Sequence, residues 1–315
     1  MSSKLKNNQK SRDKTTTATK EGLEKTSTPV IKTTCPNKRI SRFVGELKAA
    51  WALAEKRWRI ELRYPLSLLY FSIAPILWLL PQLIYGSAIV GGRYSAELAA
   101  IAGTNDVWVF TSLGLVFNMF VNITLWSTAF SIRREEWTGT FEVVYVTPVS
   151  RLTLIFGNAL KSVMHNGIGL VMQMGIIIYW YWGLFAFKDL IIALLFLAAS
   201  LLLIQGLSML FCAYVLWQKQ GYRAIMLFEA FLSIITPITF PIVTMPQVLQ
   251  YLTYINPFTY GIEGFRNAIM FGSTWLTWVY LGILIAMSIL FVLIGSKFFS
   301  FIEKKLRAKG TIGQY

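Results

Sequence analysis

The sequence predicts an all-α integral membrane protein with six transmembrane helices. Hydrophobic residues make up 55% of its 315 residues and charged residues only 14%, which is unlike a soluble domain. A helix needs about 20 apolar residues to cross a bilayer, and six stretches of at least 26 residues lack Asp, Glu, Lys and Arg. These stretches are 64–92, 107–132, 162–187, 190–218, 230–262 and 267–296.

The distribution of basic residues predicts the orientation of the chain. The net charge is +15, and 16 of the 30 Lys and Arg residues lie in residues 1–64. With a cytoplasmic N-terminus, the external loops hold only Arg93, Lys188 and Arg266. The internal loops then hold Arg133, Arg134, Arg151, Lys161, Lys219 and Arg223. Because basic residues accumulate on the cytoplasmic side, we expect a multi-pass plasma-membrane protein with both termini in the cytoplasm and no nucleic-acid partner.

Composition divides the chain into four segments. Residues 1–38 are rich in Lys, Ser, Thr and Asn, and we expect a disordered basic cytoplasmic tail. This tail is either a solvated spacer or a contact for anionic lipid head groups. In residues 39–64, apolar residues are intermixed with basic residues at spacings that suit an amphipathic helix. This predicts a helix that lies along the inner membrane surface. A six-span transmembrane domain follows over 65–300, and 301–315 forms a basic cytoplasmic C-terminal tail.

The second span carries a polar face. The spans are expected at about 66–90, 107–131, 164–186, 190–217, 224–240 and 274–297. Thr111, Asn118 and Asn122 follow one another at i, i+7 and i+11, so they lie within a narrow sector of the span 2 helix. This pattern fits both hydrogen bonding between helices and the lining of a pore.

Four prolines prevent 224–262 from forming one straight helix, because proline lacks the amide donor that a helix interior needs. They are Pro237, Pro241, Pro246 and Pro257. We expect span 5 to end near Phe240 and 242–272 to dip back, or to lie at the outer face, as short helices. The second of these helices would begin at Asn256 and Pro257. On it, Glu263 and Arg266 stand at i, i+3 and can pair.

The sequence lacks the common catalytic motifs. No GxxxxGK[ST], HExxH, paired CxxC or GxSxG occurs, so we expect no enzyme activity, no metal and no cofactor on this chain. The one histidine, His165, is interpreted as a buried, hydrogen-bonded side chain. Glu229 is the only acid well inside a span. It either pairs with Lys219, Arg223 or a neighbouring subunit, or acts in a proton relay.

A polar segment, RREEWTGTFEVVYVTPVSR over 133–151, interrupts the apolar sequence between spans 2 and 3. Glu135 and Glu136 suit the first turn of a helix. Apolar residues recur at i, i+4 and i+7, which predicts an amphipathic helix over about 135–146, although its β-branched residues leave a strand open.

Thr147 and Pro148 match an N-cap and a first helical residue, so a second helix would lead into span 3. From the residues alone, the segment is either a loop packed on lipid or a docking surface.

Two blocks of sequence resemble the permeases of type-2 ABC exporters. REEWTGTFEVVYVTPVSRLTLIFGNAL resembles the segment between spans 2 and 3 of that family, with its acid, Gly-Thr, Glu, Thr-Pro and Arg in order. FPIVTMPQVLQYLTYINPFTYGIEGFRNAIMFG resembles the segment between spans 5 and 6, and KKLRAKGTIGQY resembles the family C-terminus. The resemblance covers about residues 40–315.

This resemblance implies a permease subunit of an ATP-driven exporter, without catalytic activity of its own. Its implied partners are a separate ATP-binding subunit, which carries ATP and Mg²⁺, and a second permease subunit, identical or paralogous. The insert between spans 2 and 3 would be the coupling helix, 40–63 an interface helix and 242–272 external re-entrant hairpins that include Asn256, Pro257, Glu263 and Arg266. The coupling residues implied are Glu135, Glu136, Gly139, Thr140 and Glu142, with Thr147 and Pro148 at the turn.

The expected substrate path lies between spans 2 and 5. It is lined by Asn118, Asn122, Ser233 and Thr236, and the cargo stays open among glycans, lipids, drugs and other molecules. Two rival functions remain, an ion-coupled secondary transporter and a membrane scaffold that transports nothing. An ion-coupled transporter would depend on acids within the membrane, whereas a scaffold would tolerate changes on the polar face of span 2.

Overall fold

A computed structural model describes residues 38–140, 150–180, 187–218 and 221–308. The regular structure of these residues is helical. The α-helices, in order, are α1 Lys38–Leu62, α2 Pro65–Val90, α3 Ala96–Ala102, α4 Val107–Ala129, α5 Ser131–Trp137, α6 Arg151–Trp180, α7 Phe187–Gln218, α8 Tyr222–Ile235, α9 Gln247–Ile255, α10 Pro257–Met270 and α11 Trp275–Ala308. A 3₁₀ helix covers Ile242–Thr244. The prediction of an all-α protein is thereby confirmed for the described residues.

Four helices are long and apolar enough to cross a membrane. They contain the segments Val107–Ala129, Leu152–Tyr179, Leu190–Gln218 and Trp275–Leu306. Helix α2 includes a shorter apolar stretch, Ile76–Val90. Helix α8 has 14 residues, which give it a length of about 21 Å, less than the roughly 30 Å of a hydrocarbon core. The six-span layout therefore stays a prediction.

Helix α4 occupies the centre of the bundle, where it packs against α2, α6, α7 and α10. Its charge-free sequence begins directly after Asp106, whose carboxylate accepts hydrogen bonds from the Trp108 and Val109 amides. This N-cap satisfies two of the donors that a helix start leaves unpaired. Most residues of α4 are buried, so the helix is surrounded by protein on several sides.

Helices α7 and α11 lie side by side at backbone contact. A Cβ on Gly206 would overlap the backbone of Phe291 and Val292, and a Cβ on Gly295 would overlap the Gly206 carbonyl. Small residues allow membrane helices to approach this closely, and the gain comes from packing because lipid tails offer no hydrophobic driving force. The two longest helices are thereby held together without a polar contact at this point.

The prolines break the chain after α8 as predicted, but the helix ends five residues before the expected end near Phe240. Helix α8 ends at Ile235, and Thr236 is extended because Pro237 disfavours helical backbone in the residue before it. The 3₁₀ helix, α9 and α10 follow as short elements. Helix α10 begins at Pro257, and the Asn256 side chain caps it by accepting from the Phe258 amide at 3.1 Å. The expected start of this helix at Asn256 and Pro257 is thus confirmed.

Candidate functional site

The polar insert begins with α5, which follows α4 after a single residue, Phe130. The helix stops at Trp137. Gly139 then adopts left-handed backbone at φ 68°, and the Thr140 amide donates to the Glu135 carbonyl at 3.0 Å. Glycine in this conformation after the last helical residue is a common helix stop. The insert therefore turns sharply within three residues of the helix end.

The predicted helix over 135–146 is wrong in its placement. Glu135 and Glu136 lie in the last turn of α5 rather than in a first turn, because the helix starts earlier, at Ser131, and Gly139 ends it. Glu135 is 6% exposed and accepts from the Thr140 hydroxyl, and Glu136 pairs with Arg133 at 2.6 Å. Three predicted coupling residues, Glu142, Thr147 and Pro148, lie outside the described residues.

In the described part of the insert, the exposed residues are Trp137, Thr138 and Gly139, which we call the exposed tip. Trp137 is 69% exposed, and one face of its ring stacks on Phe130 at a centroid distance of 6.2 Å. The resemblance implied Gly139 and Thr140 as coupling residues beside the carboxylates, and the spacing placed Trp137 on one apolar face of a helix. The effect of Gly139 on the backbone was not foreseen: its preference for left-handed backbone ends the helix next to the exposed Trp137.

Glu46 on α1 connects that helix to the start of α6. Its carboxylate accepts from the Ser150 amide, at 3.2 Å through Oε2, and from the Thr153 hydroxyl. Close packing continues this contact, because a Cβ on Gly157 would lie 2.9 Å from the Ala50 carbonyl oxygen. An acidic group at a helix N-terminus is also favoured by the helix dipole. The part of α1 after Gly45 is therefore fixed to the first turns of α6.

Replacing Glu46 with alanine is expected to loosen the first turn of α6. The carboxylate acts as a charged cap, and loss of such a cap costs about 1–2 kcal/mol, so amides after Ser150 should exchange about 5–30 times faster with solvent deuterium. Hydrogen-exchange mass spectrometry of the purified chain measures this. Glu55→Ala is the matched control, because Glu55 on the same helix pairs with the neighbouring exposed Arg59. Equal exchange in both variants would contradict the link.

All four predicted path residues line one cleft. The cleft lies between α4, α8 and α10, is partly open, and encloses about 20 Å³, enough for one water-sized group. Its lining consists of Phe117, Asn118, Val121, Asn122, Glu229, Leu232, Ser233, Thr236, Ile238, Phe258 and Ile262. We refer to it below as the central cleft. Thr111, the third polar residue of span 2, is instead buried and lies near Gly86 of α2, so the polar face divides between cleft and core.

Hydrogen bonds fix the polar groups of the central cleft. Asn122 donates to the Asn118 side chain at 2.6 Å, and Thr236 accepts from the Asn256 amide group at 2.8 Å. Ser233 donates to the Ala230 carbonyl at 2.7 Å. The two asparagines thus stabilise each other along α4, while Thr236 ties the end of α8 to the start of α10.

Glu229 joins this lining, which the sequence did not predict. It accepts a hydrogen bond from the Trp126 indole at 2.7 Å. Within the described residues it forms no ion pair with Arg223, which is exposed, and Lys219 lies outside them. Trp126 and Glu229 are 103 residues apart, so this contact depends on how α4 and α8 pack.

Arg266 holds the broken segment after α8 against the N-terminal part of α4. The side chain is almost fully buried, at 1% exposure, and donates to the carbonyl oxygens of Phe110, Pro237 and Ile238. Its fourth partner is Glu263 at 3.0 Å, so the predicted pair is present. Carbonyl groups outside helices at membrane depth need such donors, because lipid offers none.

Glycine at position 114 makes room for this arrangement. A Cβ there would overlap both the Ile238 carbonyl and the Arg266 guanidinium.

The described residues contain no cluster of three or more His, Cys, Asp or Glu side chains placed to hold a metal ion.

Residues 48–270 match the family model described as ABC-2 type transporter. The matched range begins within α1 and includes the polar insert, the central cleft, α9 and α10. A comparison with curated proteins finds no match.

Proposed function

Since the chain belongs to the ABC-2 type transporter family, we propose that it is the permease subunit of an ATP-driven exporter. The family places it among membrane transport subunits without catalytic activity of their own, which generally work with an ATP-binding subunit. ATP and Mg²⁺ would bind to that partner. A second permease subunit, identical or paralogous, would complete the path.

Six crossings and two cytoplasmic termini form part of this proposal. Four long apolar helices supply four crossings, and we assign the other two to α2 and to α8 with the extended residues that follow it. The excess of Lys and Arg on one side supports the orientation in a plasma membrane. Leu47 and Trp51 are exposed one turn apart on α1, which supports an interface helix that inserts apolar side chains among lipid head groups.

External re-entrant helices are the second structural part of the proposal. Helices α9 and α10 are too short to cross alone, with 9 and 14 residues. The carbonyl groups bound by Arg266 are of the kind that non-helical backbone within a membrane must satisfy. Both features support a hairpin that caps the outer end of the central cleft.

One observation carries the coupling mechanism: α5 and α4 connect the exposed tip to the central cleft. The tip at Trp137 to Gly139 is joined to α4 through α5 and Phe130, and α4 carries Asn118 and Asn122 into the cleft. If the ATP-binding subunit docks at this tip, its closure pushes α4 and the helices packed around it between two arrangements. Glu46 would carry the same motion into α1.

Replacing Gly139 with tryptophan tests this docking surface. We expect the variant to lose a co-expressed ATP-binding subunit during purification, because the bulky side chain both strains the left-handed turn and obstructs the exposed tip. Gly91→Trp is the matched control, since Gly91 also has positive φ and open space around it but lies at the other end of the bundle. Retention of the ATPase by Gly139→Trp, or its loss from both variants, would contradict the assignment.

An ion-coupled transporter has less support. Such proteins relay protons along several titratable groups, and Glu229 is the single acidic or basic residue among those that line the central cleft.

A further inference from the structure

We infer that Glu229 is a charge-selecting residue, through which the central cleft takes molecules that carry a positively charged amino group on an apolar body. The inference rests on the proposed function, because it names the substrate class of that same cleft. It begins from the lining. Glu229 is the single acidic or basic side chain there, among two asparagines, two hydroxyl residues and six large apolar residues.

The carboxylate of Glu229 is held in place by a neutral donor. Trp126 binds its Oε2 atom through the indole N–H at 2.7 Å. The indole itself is fixed, because it stacks on Phe130 at 5.6 Å and packs against Tyr222 at 5.1 Å. A neutral hydrogen bond orients the carboxylate but leaves its negative charge uncompensated. A ligand cation would supply that compensation.

Two basic residues of the described chain, Arg266 and Arg223, do not meet this need. Arg266 is occupied by Glu263 and three carbonyl oxygens. Arg223, six residues before Glu229 on α8, is exposed and forms no ion pair with it in the described part of the chain. The lining of the cleft contains an acid and no basic residue, so it favours a cationic ligand over an anion.

The walls and size of the cleft define the rest of the ligand. Phe117, Leu232 and Phe258 provide apolar surface opposite the polar groups. The enclosed volume is about 20 Å³, room for one group the size of a water molecule. It suits the ammonium group itself, held at Glu229 with the asparagine amides beside it, while the apolar body of the ligand extends out of the open side of the cleft.

A charge series of equal size tests this selection. The full chain in phosphatidylcholine nanodiscs is titrated at pH 7 with 1-aminoadamantane, 1-adamantanol and 1-adamantanecarboxylate, and binding to empty nanodiscs is subtracted. We expect the ammonium to bind at least about tenfold more tightly than the carboxylate, a preference that a partly desolvated charge pair can supply. Glu229→Gln should remove this preference. Glu97→Gln, which removes an exposed acid outside the cleft, should keep it.

A rescue variant separates electrostatics from damage to the fold. Ser233→Asp, in the Glu229→Gln background, returns a negative charge to the same wall one turn later on α8 and should restore part of the preference. Equal binding of ammonium and alcohol by the wild-type chain, or a preference that survives Glu229→Gln, would overturn the inference. The titration contains no ATP-binding subunit, so its failure is distinct from a failure of the proposed function, which is tested by association with that partner.

Discussion

Replacing Arg266 with methionine is expected to lower the stability of the chain by about 3–5 kcal/mol, the range for removing one partner of a buried ion pair. The change leaves Glu263 and the carbonyl oxygens of Phe110, Pro237 and Ile238 without their shared donor. Lysine should not rescue it, because a single ammonium cannot reproduce the planar, multidentate fork of a guanidinium. The thermal midpoint of the detergent-purified protein measures the loss.

Arg223→Met is the control for this prediction. Arg223 is exposed and has no ion pair within the described residues, so its loss should change stability by less than about 0.5 kcal/mol, as expected for surface sites. Equal midpoints for the two variants would show that the buried guanidinium does not hold the segment after α8 in place.

Replacing Gly206 with leucine is the second change of large expected effect. The new side chain would overlap the backbone of α11 at Phe291 and Val292, so α7 and α11 must separate along their length. Overpacking a well-packed core costs about 1–3 kcal/mol, and an overlap with backbone leaves less room to relax. We expect a loss at or above the upper end of that range, measured as a drop in the fraction of monodisperse protein after heating.

Gly282→Leu provides the matched comparison on α11. No atom lies within 4 Å of a Cβ at this position, and leucine favours helix over glycine by about 0.5–1 kcal/mol. This variant should be as stable as the parent chain or more so. A comparable loss in both variants would contradict the close contact between α7 and α11.

Helices bounded by local signals were predicted well from the sequence. Asp106 caps α4, and a charge-free stretch follows it, so the predicted span at 107–131 differs from Val107–Ala129 by two residues. Asn256 and Pro257 likewise place the start of α10. In both cases the determining groups lie within three residues of the boundary, where propensity and capping act directly.

Features that depend on distant contacts were not predicted. Helix α5 starts before the expected position because it continues almost directly from α4, and Glu135 turns inward to bind Thr140. The pair of Glu263 and Arg266 was predicted from its i, i+3 spacing. The three carbonyl partners of Arg266 were not, because they lie 28 to 156 residues away in the sequence.

The central cleft contains residues that the sequence predicted and one that it did not. Periodicity placed Asn118 and Asn122 on one face of α4, and the structure brings them beside Ser233 and Thr236. It also adds Glu229, whose contact with Trp126 no local pattern indicates. The role of the cleft in transport stays a prediction, as does the role of the insert in coupling.

The composition of the purified particle tests the central claim most directly. The full chain, tagged at one end, is co-expressed with candidate ATP-binding subunits, extracted in detergent and weighed by native mass spectrometry. The account predicts a particle with two permease chains and two ATP-binding chains, in which Gly139→Trp but not Gly91→Trp releases the ATP-binding chains. A particle that contains this chain without an ATP-binding subunit, whichever candidate is co-expressed, would contradict it.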